Sequence, residues 1–136
     1  MKSKDEWTGG CACGAVRYCC DEASGFAFHC RCRQCQRATG TGHASAFVAA
    51  REATEVTGKL KFFEQTSDRG TVVARGFCLT CGSPVLNKNS AFPGNLYIHA
   101  AILDNTALFD PMTVVFADSG PTWDFMDPAL IGPENR

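Results

Sequence analysis

The segment "HCRCRQCQRATG", residues 29–40, places Cys30, Cys32 and Cys35 in the spacing C-x-C-x-x-C. Structural zinc in proteins is tetrahedral and takes four cysteine or histidine ligands. This segment therefore lacks one ligand, receives it from elsewhere in the chain, or leaves one coordination position open. The answer bears on both fold and function, because remote ligands would tie distant strands together and an open position would admit a substrate.

Two cysteine pairs lie on either side of this segment. They are Cys11 and Cys13 in "GGCACGAVRY" and Cys78 and Cys81 in "FCLTCGSPV". Side chains two residues apart on a strand share a face, and C-x-x-C brings two sulfurs together across a tight turn. A glycine follows Cys13 and another follows Cys81, which is typical of metal-binding turns because glycine lets the backbone direct N–H groups at thiolates.

The ligand arithmetic favours two zinc sites of different kinds. The two pairs together supply four thiolates, which would make a closed structural site, and the triplet supplies three, which would leave an open catalytic position. Spacing alone allows a second grouping, in which Cys30 and Cys32 join Cys78 and Cys81. Cys19 and Cys20 are adjacent on a predicted strand and face opposite sides, so we interpret them as small buried residues.

Composition narrows the class of protein. The chain has 136 residues, a net charge of −1 and 20% charged residues, which predicts one domain and gives no basic surface for nucleic acid or an acidic membrane. No apolar run is long enough to span a membrane, and "MKSKDEW" lacks the apolar core of a signal peptide. We expect a cytoplasmic protein, where nine cysteines, an odd count, indicate metal ligands or reactive thiols rather than disulfides.

Short β-rich segments separated by Gly and Pro turns predict an all-β domain spanning residues 1–136. We expect a loose lead-in over 1–8, one short helix over 35–39 that ends at Gly40, and an irregular, Pro-rich tail over 119–136. The segment "TSDRG" predicts a hairpin turn. The predicted strands are 15–20, 44–50, 55–58, 60–65, 71–78, 95–103 and 113–117.

With their flanking glycines, the three cysteine motifs resemble those of the glutathione-dependent formaldehyde-activating enzymes, the GFA or CENP-V family. The resemblance runs from about Gly9 to Trp123 and includes "AAILDN" and "PTW". It implies a Mss4-like fold of stacked antiparallel sheets around two zinc ions. It also implies carbon–sulfur lyase activity, in which glutathione adds to formaldehyde to give S-hydroxymethylglutathione.

The resemblance also implies a role for each cysteine group. The structural zinc maps onto the two pairs and the catalytic zinc onto the triplet, in which the family often has histidine where this chain has Arg31. The implied ligands are Cys11, Cys13, Cys78 and Cys81 for the structural ion and Cys30, Cys32 and Cys35 for the catalytic ion.

Three thiolates make zinc a weak Lewis acid, so capture of a substrate thiol is more natural for the triplet than generation of hydroxide. We therefore expect a glutathione-like thiol and a small aldehyde as partners. Two alternatives stay open. One is a non-catalytic zinc domain that binds another protein, and the other is a related enzyme acting on a different thiol, imine or aldehyde.

Several residues near the triplet could assist. His29 and His43 could enter the open position or transfer a proton, although ordinary hydrogen-bonded histidines are the simpler interpretation. Arg31, Arg33 and Arg37 could pair with carboxylates of a glutathione-like ligand, although we expect at least two of them to be solvated. We expect structural roles for His99, Phe62, Phe63 and Phe77, whereas Trp123 could wall the site or simply pack.

Overall fold

The computed structural model describes residues 7–21 and 23–131, and it confirms an all-β fold with one short α-helix in that part of the chain. The elements are β1 Trp7–Gly10, β2 Arg17–Cys20, β3 Ala23–Cys30, α1 Arg33–Thr39, β4 Ala44–Ala50, β5 Thr54–Thr57, β6 Leu60–Thr66, β7 Val72–Cys78, β8 Pro84–Asn89, β9 Asn95–His99 and β10 Thr113–Val115. No helix among these residues is long and apolar enough to cross a membrane.

The strands form two sheets. A three-stranded sheet has the order β1-β2-β5, and a seven-stranded sheet has the order β10-β3-β4-β9-β8-β7-β6. All pairings are antiparallel except that of β10 with β3, which is parallel and places Val115 opposite Cys30. This parallel pair departs from the expectation of purely antiparallel sheets. It also brings the C-terminal part of the chain beside the first cysteine of the triplet.

The main core lies between the two sheets. Val16 precedes β2 and Tyr18 lies within it. Both pack in one cluster with Phe47 of β4 and with Leu86 and Ile98 of the larger sheet. The side chains of Val16 and Ile98 have no exposed surface, so burial of apolar area holds the two layers together. A smaller cluster contains Val114, Ala117 and Met126 and joins the C-terminal segment to the edge of the large sheet.

Several predicted strands match the structure closely. The predicted strand over 44–50 coincides with β4, and the predicted hairpin turn joins β6 and β7, with Gly70 at φ +84° and the hydroxyl of Ser67 accepting from two backbone N–H groups. The helix begins two residues earlier than expected, at Arg33, and ends before Gly40, which adopts φ +78°.

Other boundaries differ from the expectations. The lead-in ends earlier than expected, because Trp7 and Thr8 already belong to β1, while residues 1–6 lie outside the described part of the chain. The predicted strand over 95–103 ends at His99, where a single 3-10 turn begins. The predicted strand over 113–117 ends at Val115, because Phe116 adopts a left-handed backbone conformation with φ 54° that no strand accommodates.

Candidate metal centres

The two cysteine pairs meet at one end of the molecule. Cys11 and Cys13 lie in the loop between β1 and β2, and Cys78 is the last residue of β7, three residues before Cys81. Their four sulfurs all lie within 4.8 Å of one another, with Cys13 Sγ 3.6 Å from Cys11 Sγ and 3.8 Å from Cys78 Sγ. The cluster therefore joins the small sheet to the large one.

Local backbone geometry points amide groups at these sulfurs. The N–H of Val16 donates to Cys11 Sγ at 3.2 Å, and the N–H groups of Thr80 and Cys81 donate to Cys78 Sγ at 3.3 and 3.4 Å. The glycine after each pair adopts a left-handed conformation, Gly14 at φ +81° and Gly82 at φ +78°. The hydrogen bond from Val16 lowers the pKa of Cys11, as expected for a sulfur prepared to bind as thiolate.

The triplet occupies the junction between β3 and α1. Cys30 is the last residue of β3, Cys32 is the N-cap of α1, and Cys35 lies in the first turn of the helix. The sulfur of Cys32 accepts the N–H of Cys35 at 3.3 Å, in the position where a serine or aspartate oxygen usually caps a helix. The strand end and the helix turn therefore converge three sulfurs, which lie within 4.8 Å of one another.

The three thiols of the triplet shift one another's pKa values. Contacts with the thiols of Cys30 and Cys35 lower the pKa of Cys32, and the contact with Cys32 raises the pKa of Cys30. Cys30 is buried, whereas Cys32 and Cys35 are partly exposed. Cys32 is thus the thiol of the triplet whose contacts favour the thiolate form most, and it is partly exposed.

Neither neighbouring histidine joins the triplet. Among the described residues, the group of metal-ligand atoms around the triplet contains its three sulfurs and no histidine or carboxylate. His29 Nδ1 lies 2.8 Å from the hydroxyl of Ser45, and burial and the nearby His43 lower its pKa. His43 Nδ1 lies 2.9 Å from a carboxylate oxygen of Asp124, and the rings of His29 and His43 meet edge to face at 4.9 Å.

Arg31 binds the C-terminal segment, although the sequence allowed it to pair with a carboxylate of a glutathione-like ligand. Its side chain is buried and donates to the carbonyl oxygens of Ala117, Pro121 and Asp124 at 3.2, 2.9 and 2.9 Å. A Cβ atom at Gly120 would lie 1.8 Å from Nε of Arg31, so the C-terminal segment packs directly on the guanidinium. Arg31 holds that segment beside the triplet.

The remaining predicted residues lie outside the cluster. Arg33 is exposed and donates to the side chain of Gln36, and Arg37 is exposed on the last turn of α1. Trp123 is 72% exposed and therefore walls no enclosed site. Sequence analysis missed Arg75 on β7, whose Nη2 lies 4.0 Å from Cys35 Sγ. It was missed because strand periodicity alone does not show that β7 passes the helix at this point.

Both clusters fit zinc. With Zn–S bonds of about 2.3 Å, tetrahedral geometry places sulfurs roughly 3.8 Å apart, close to the separations of 3.6 and 3.8 Å in the four-cysteine cluster. Both donor sets consist of sulfur alone, which favours a soft metal ion over magnesium or calcium. None of the seven cysteines in the two clusters is in a disulfide, so all seven sulfurs are able to bind metal.

Comparisons with known proteins place this arrangement in context. A family model described as glutathione-dependent formaldehyde-activating enzyme matches residues 6–119. The crystal structure of a Rhodobacter sphaeroides protein, a structural-genomics target, is similar, with a TM-score of 0.59 and 27% identity over 76% of this chain and 96% of that one. No curated protein matches the chain significantly. The family match includes all seven cysteines of the two clusters.

Proposed function

Because the chain belongs to the family of glutathione-dependent formaldehyde-activating enzymes, we propose that it is a zinc-dependent carbon–sulfur lyase. In the proposed reaction, the sulfur of a glutathione-like thiol forms a bond to the carbonyl carbon of formaldehyde or a related small aldehyde. The thiol proton leaves the sulfur and the carbonyl oxygen gains a proton, giving an S-hydroxymethyl product. The reverse reaction breaks the same carbon–sulfur bond.

The observation that carries this proposal is the composition of the triplet. Cys30, Cys32 and Cys35 converge their sulfurs, and no fourth ligand atom from the described residues joins them. Three protein ligands with an open position are typical of catalytic zinc, whereas four protein ligands are typical of structural zinc. The partly exposed Cys32 and Cys35 leave this position within reach of a small molecule.

Two separate groups of cysteines would hold the two proposed zinc ions. The triplet would hold the catalytic zinc, and Cys11, Cys13, Cys78 and Cys81 would hold the structural zinc. When bound, the catalytic ion would supply a soft Lewis acid that keeps a substrate thiol deprotonated near neutral pH.

The chain's own groups would arrange the reactants. The N–H of Cys35 fixes the sulfur of Cys32, and Arg75 offsets part of the negative charge of the cluster. Asp124 holds Nδ1 of His43, which directs Nε2 away from the carboxylate. His43 lies next to the triplet in the fold, because Ala44, the residue after it, pairs with Cys30 between β3 and β4. We assign proton transfer with the developing alkoxide to Nε2 of His43.

The alternative, a non-catalytic zinc domain, predicts a different number of protein ligands at the triplet. A purely structural second zinc would be expected to have a fourth protein ligand, whereas among the described residues no histidine or carboxylate atom joins the three sulfurs. This ligand count favours the enzyme over the binding domain.

Exchange spectroscopy tests the proposal, since glutathione, formaldehyde and their adduct also interconvert without an enzyme. Zinc-loaded protein should accelerate exchange, and Cys32→Ala should abolish the acceleration while the protein stays folded. Cys19→Ala is the matched control, because Cys19 belongs to neither cluster, and it should keep the acceleration. Full activity in Cys32→Ala would refute the assignment of the triplet.

A further inference from the structure

Arg75 is a partly buried cation with an unsatisfied donor. Its Nε donates to Oε1 of Gln65 at 2.8 Å, and Nη2 lies 4.0 Å from the sulfur of Cys35. The third nitrogen, Nη1, is buried without a hydrogen-bond partner in the protein. Within residues 7–21 and 23–131, no carboxylate lies within 4.0 Å of this guanidinium. A buried donor left unpaired is costly, so the guanidinium has hydrogen-bonding capacity that the protein does not use.

Arg75, whose guanidinium reaches Cys35, also lines a cavity of about 150 Å³. Asn87 and His99 supply further polar side chains. Ala38, on the same helix as Cys35, and Gly82, which follows Cys81, also line the cavity, so it borders segments that carry cysteines of both clusters. Its volume is well below the roughly 300 Å³ of the smaller drug-sized pockets, so it suits one functional group rather than a whole tripeptide.

The lining carries one formal charge. Burial and the nearby Arg75 lower the pKa of His99 to about 4, so its ring is neutral at physiological pH. The cavity thus combines one fixed cation, one amide and one neutral imidazole. Guanidinium groups bind planar carboxylates with particular strength because two parallel N–H groups match two oxygens.

We propose that Arg75 binds the carboxylate of the thiol substrate in this cavity, so that the preferred substrates are thiols that carry a carboxylate. The proposal rests on the proposed function, because the sulfur of the same molecule would lie at the triplet. One guanidinium would serve both parts of the ligand, because its Nη2 lies beside Cys35 and the Arg75 side chain lines the cavity. The competing explanation is that Arg75 only balances the charge of the cysteine sulfurs.

The test compares two thiols that differ in one charge, N-acetylcysteine and N-acetylcysteine amide, with formaldehyde and zinc-loaded protein. Arg75→Met should reduce the ratio of kcat/KM for the acid over the amide by about 10- to 100-fold, the cost of a lost charge-assisted hydrogen bond. Arg75→Lys keeps the charge but loses the paired N–H groups, so it should give an intermediate ratio. Arg37→Met removes an exposed positive charge from α1 and should leave the ratio within about twofold of the wild type. An unchanged ratio in both Arg75 variants would overturn the proposal and indicate charge balance alone.

A binding experiment separates this proposal from the proposed function. N-acetyl-S-methylcysteine has no thiol, so its binding does not depend on turnover. An NMR titration should show that the wild type binds it more tightly than its amide and that Arg75→Met removes the difference. If no thiol is turned over but this preference is found, the proposed reaction fails and the carboxylate site stands. If the wild type does not distinguish the acid from the amide, the carboxylate site fails, whatever the turnover.

Discussion

The Nδ1 atom of His43 lies 2.9 Å from Oδ2 of Asp124, although 81 positions separate the two residues in the chain. Nε of Arg31 lies 3.5 Å from the same oxygen, and the side chain of Asp124 is only 9% exposed. The C-terminal segment is therefore joined through one carboxylate to both flanks of the triplet. Because Arg31 stands between Cys30 and Cys32, the position of this segment and that of the sulfurs are coupled.

The first prediction concerns Arg31. Arg31→Met should lower the free energy of unfolding by about 3 kcal/mol, because it leaves a buried carboxylate without its cation and three carbonyl groups without a donor. Urea denaturation of the zinc-loaded protein measures the change. The control is Arg37→Met, an exposed arginine on α1, whose effect should stay within about 0.5 kcal/mol. Equal losses in the two variants would show that the contacts of Arg31 add nothing.

His99 should make stability depend on pH. Its pKa is about 4 in the folded protein, chiefly because of burial, against about 6.5 when unfolded. Between these values the unfolded state binds more protons, so stability should be fully present above about pH 6.5 and should fall by about 3 kcal/mol as the pH approaches 4.

The difference between wild type and His99→Gln isolates this effect, because other groups contribute to both proteins. Urea denaturation at a series of pH values should show a steeper loss for the wild type between pH 6.5 and 4. Parallel pH profiles would mean that the folded protein does not suppress protonation of His99.

The four-cysteine cluster should matter more for stability than the triplet. Cys13 is exposed, so Cys13→Ala removes little packing and mainly removes a ligand from the site that joins the two sheets. Because structural zinc supplies folding free energy, we expect the Tm to fall by about 10 °C or more. Cys32→Ala in the triplet should lower the Tm by less. Calorimetry that finds the reverse order would contradict the assignment of the two roles.

Gly14 tests the turn geometry beside Cys13. Its φ is +81°, and a Cβ atom there would meet nothing within 4 Å, so Gly14→Ala should cost about 1 kcal/mol from backbone conformation alone. Gly94→Ala is the matched control, since that glycine also has open space but no positive φ. Chemical denaturation that gives the same small effect for both would show that the left-handed turn is not required.

The sequence predicted the elements whose signals are local. The alternation and small apolar residues of 44–50 fixed β4, and glycine marked both the end of α1 and the left-handed turns after Cys13 and Cys81. Ligand arithmetic favoured the grouping of sulfurs that the structure shows but left a second grouping open, because spacing brings together the cysteines of one motif and does not show which motifs meet.

What the sequence did not predict depends on contacts between distant segments. Strands β1, β3 and β8 were missed. β1 ends in two glycines, β3 contains Gly25 and a bulge, and β8 begins with Pro84, so pairing with neighbouring strands determines all three. The contacts of Arg31 with the C-terminal segment and of Arg75 with Cys35 went unpredicted for the same reason. Spacing showed that Arg31 flanks the triplet, but only the sheet order shows that Arg75 on β7 reaches Cys35.

Zinc analysis during treatment with a chelator examines both clusters in one experiment. Purified protein should contain two zinc ions per chain, one lost rapidly from the accessible triplet and one retained, and Cys32→Ala should contain only the retained ion. A single ion in the wild type, loss of both ions at the same rate, or two ions in Cys32→Ala would contradict the assignment of an open metal site to Cys30, Cys32 and Cys35.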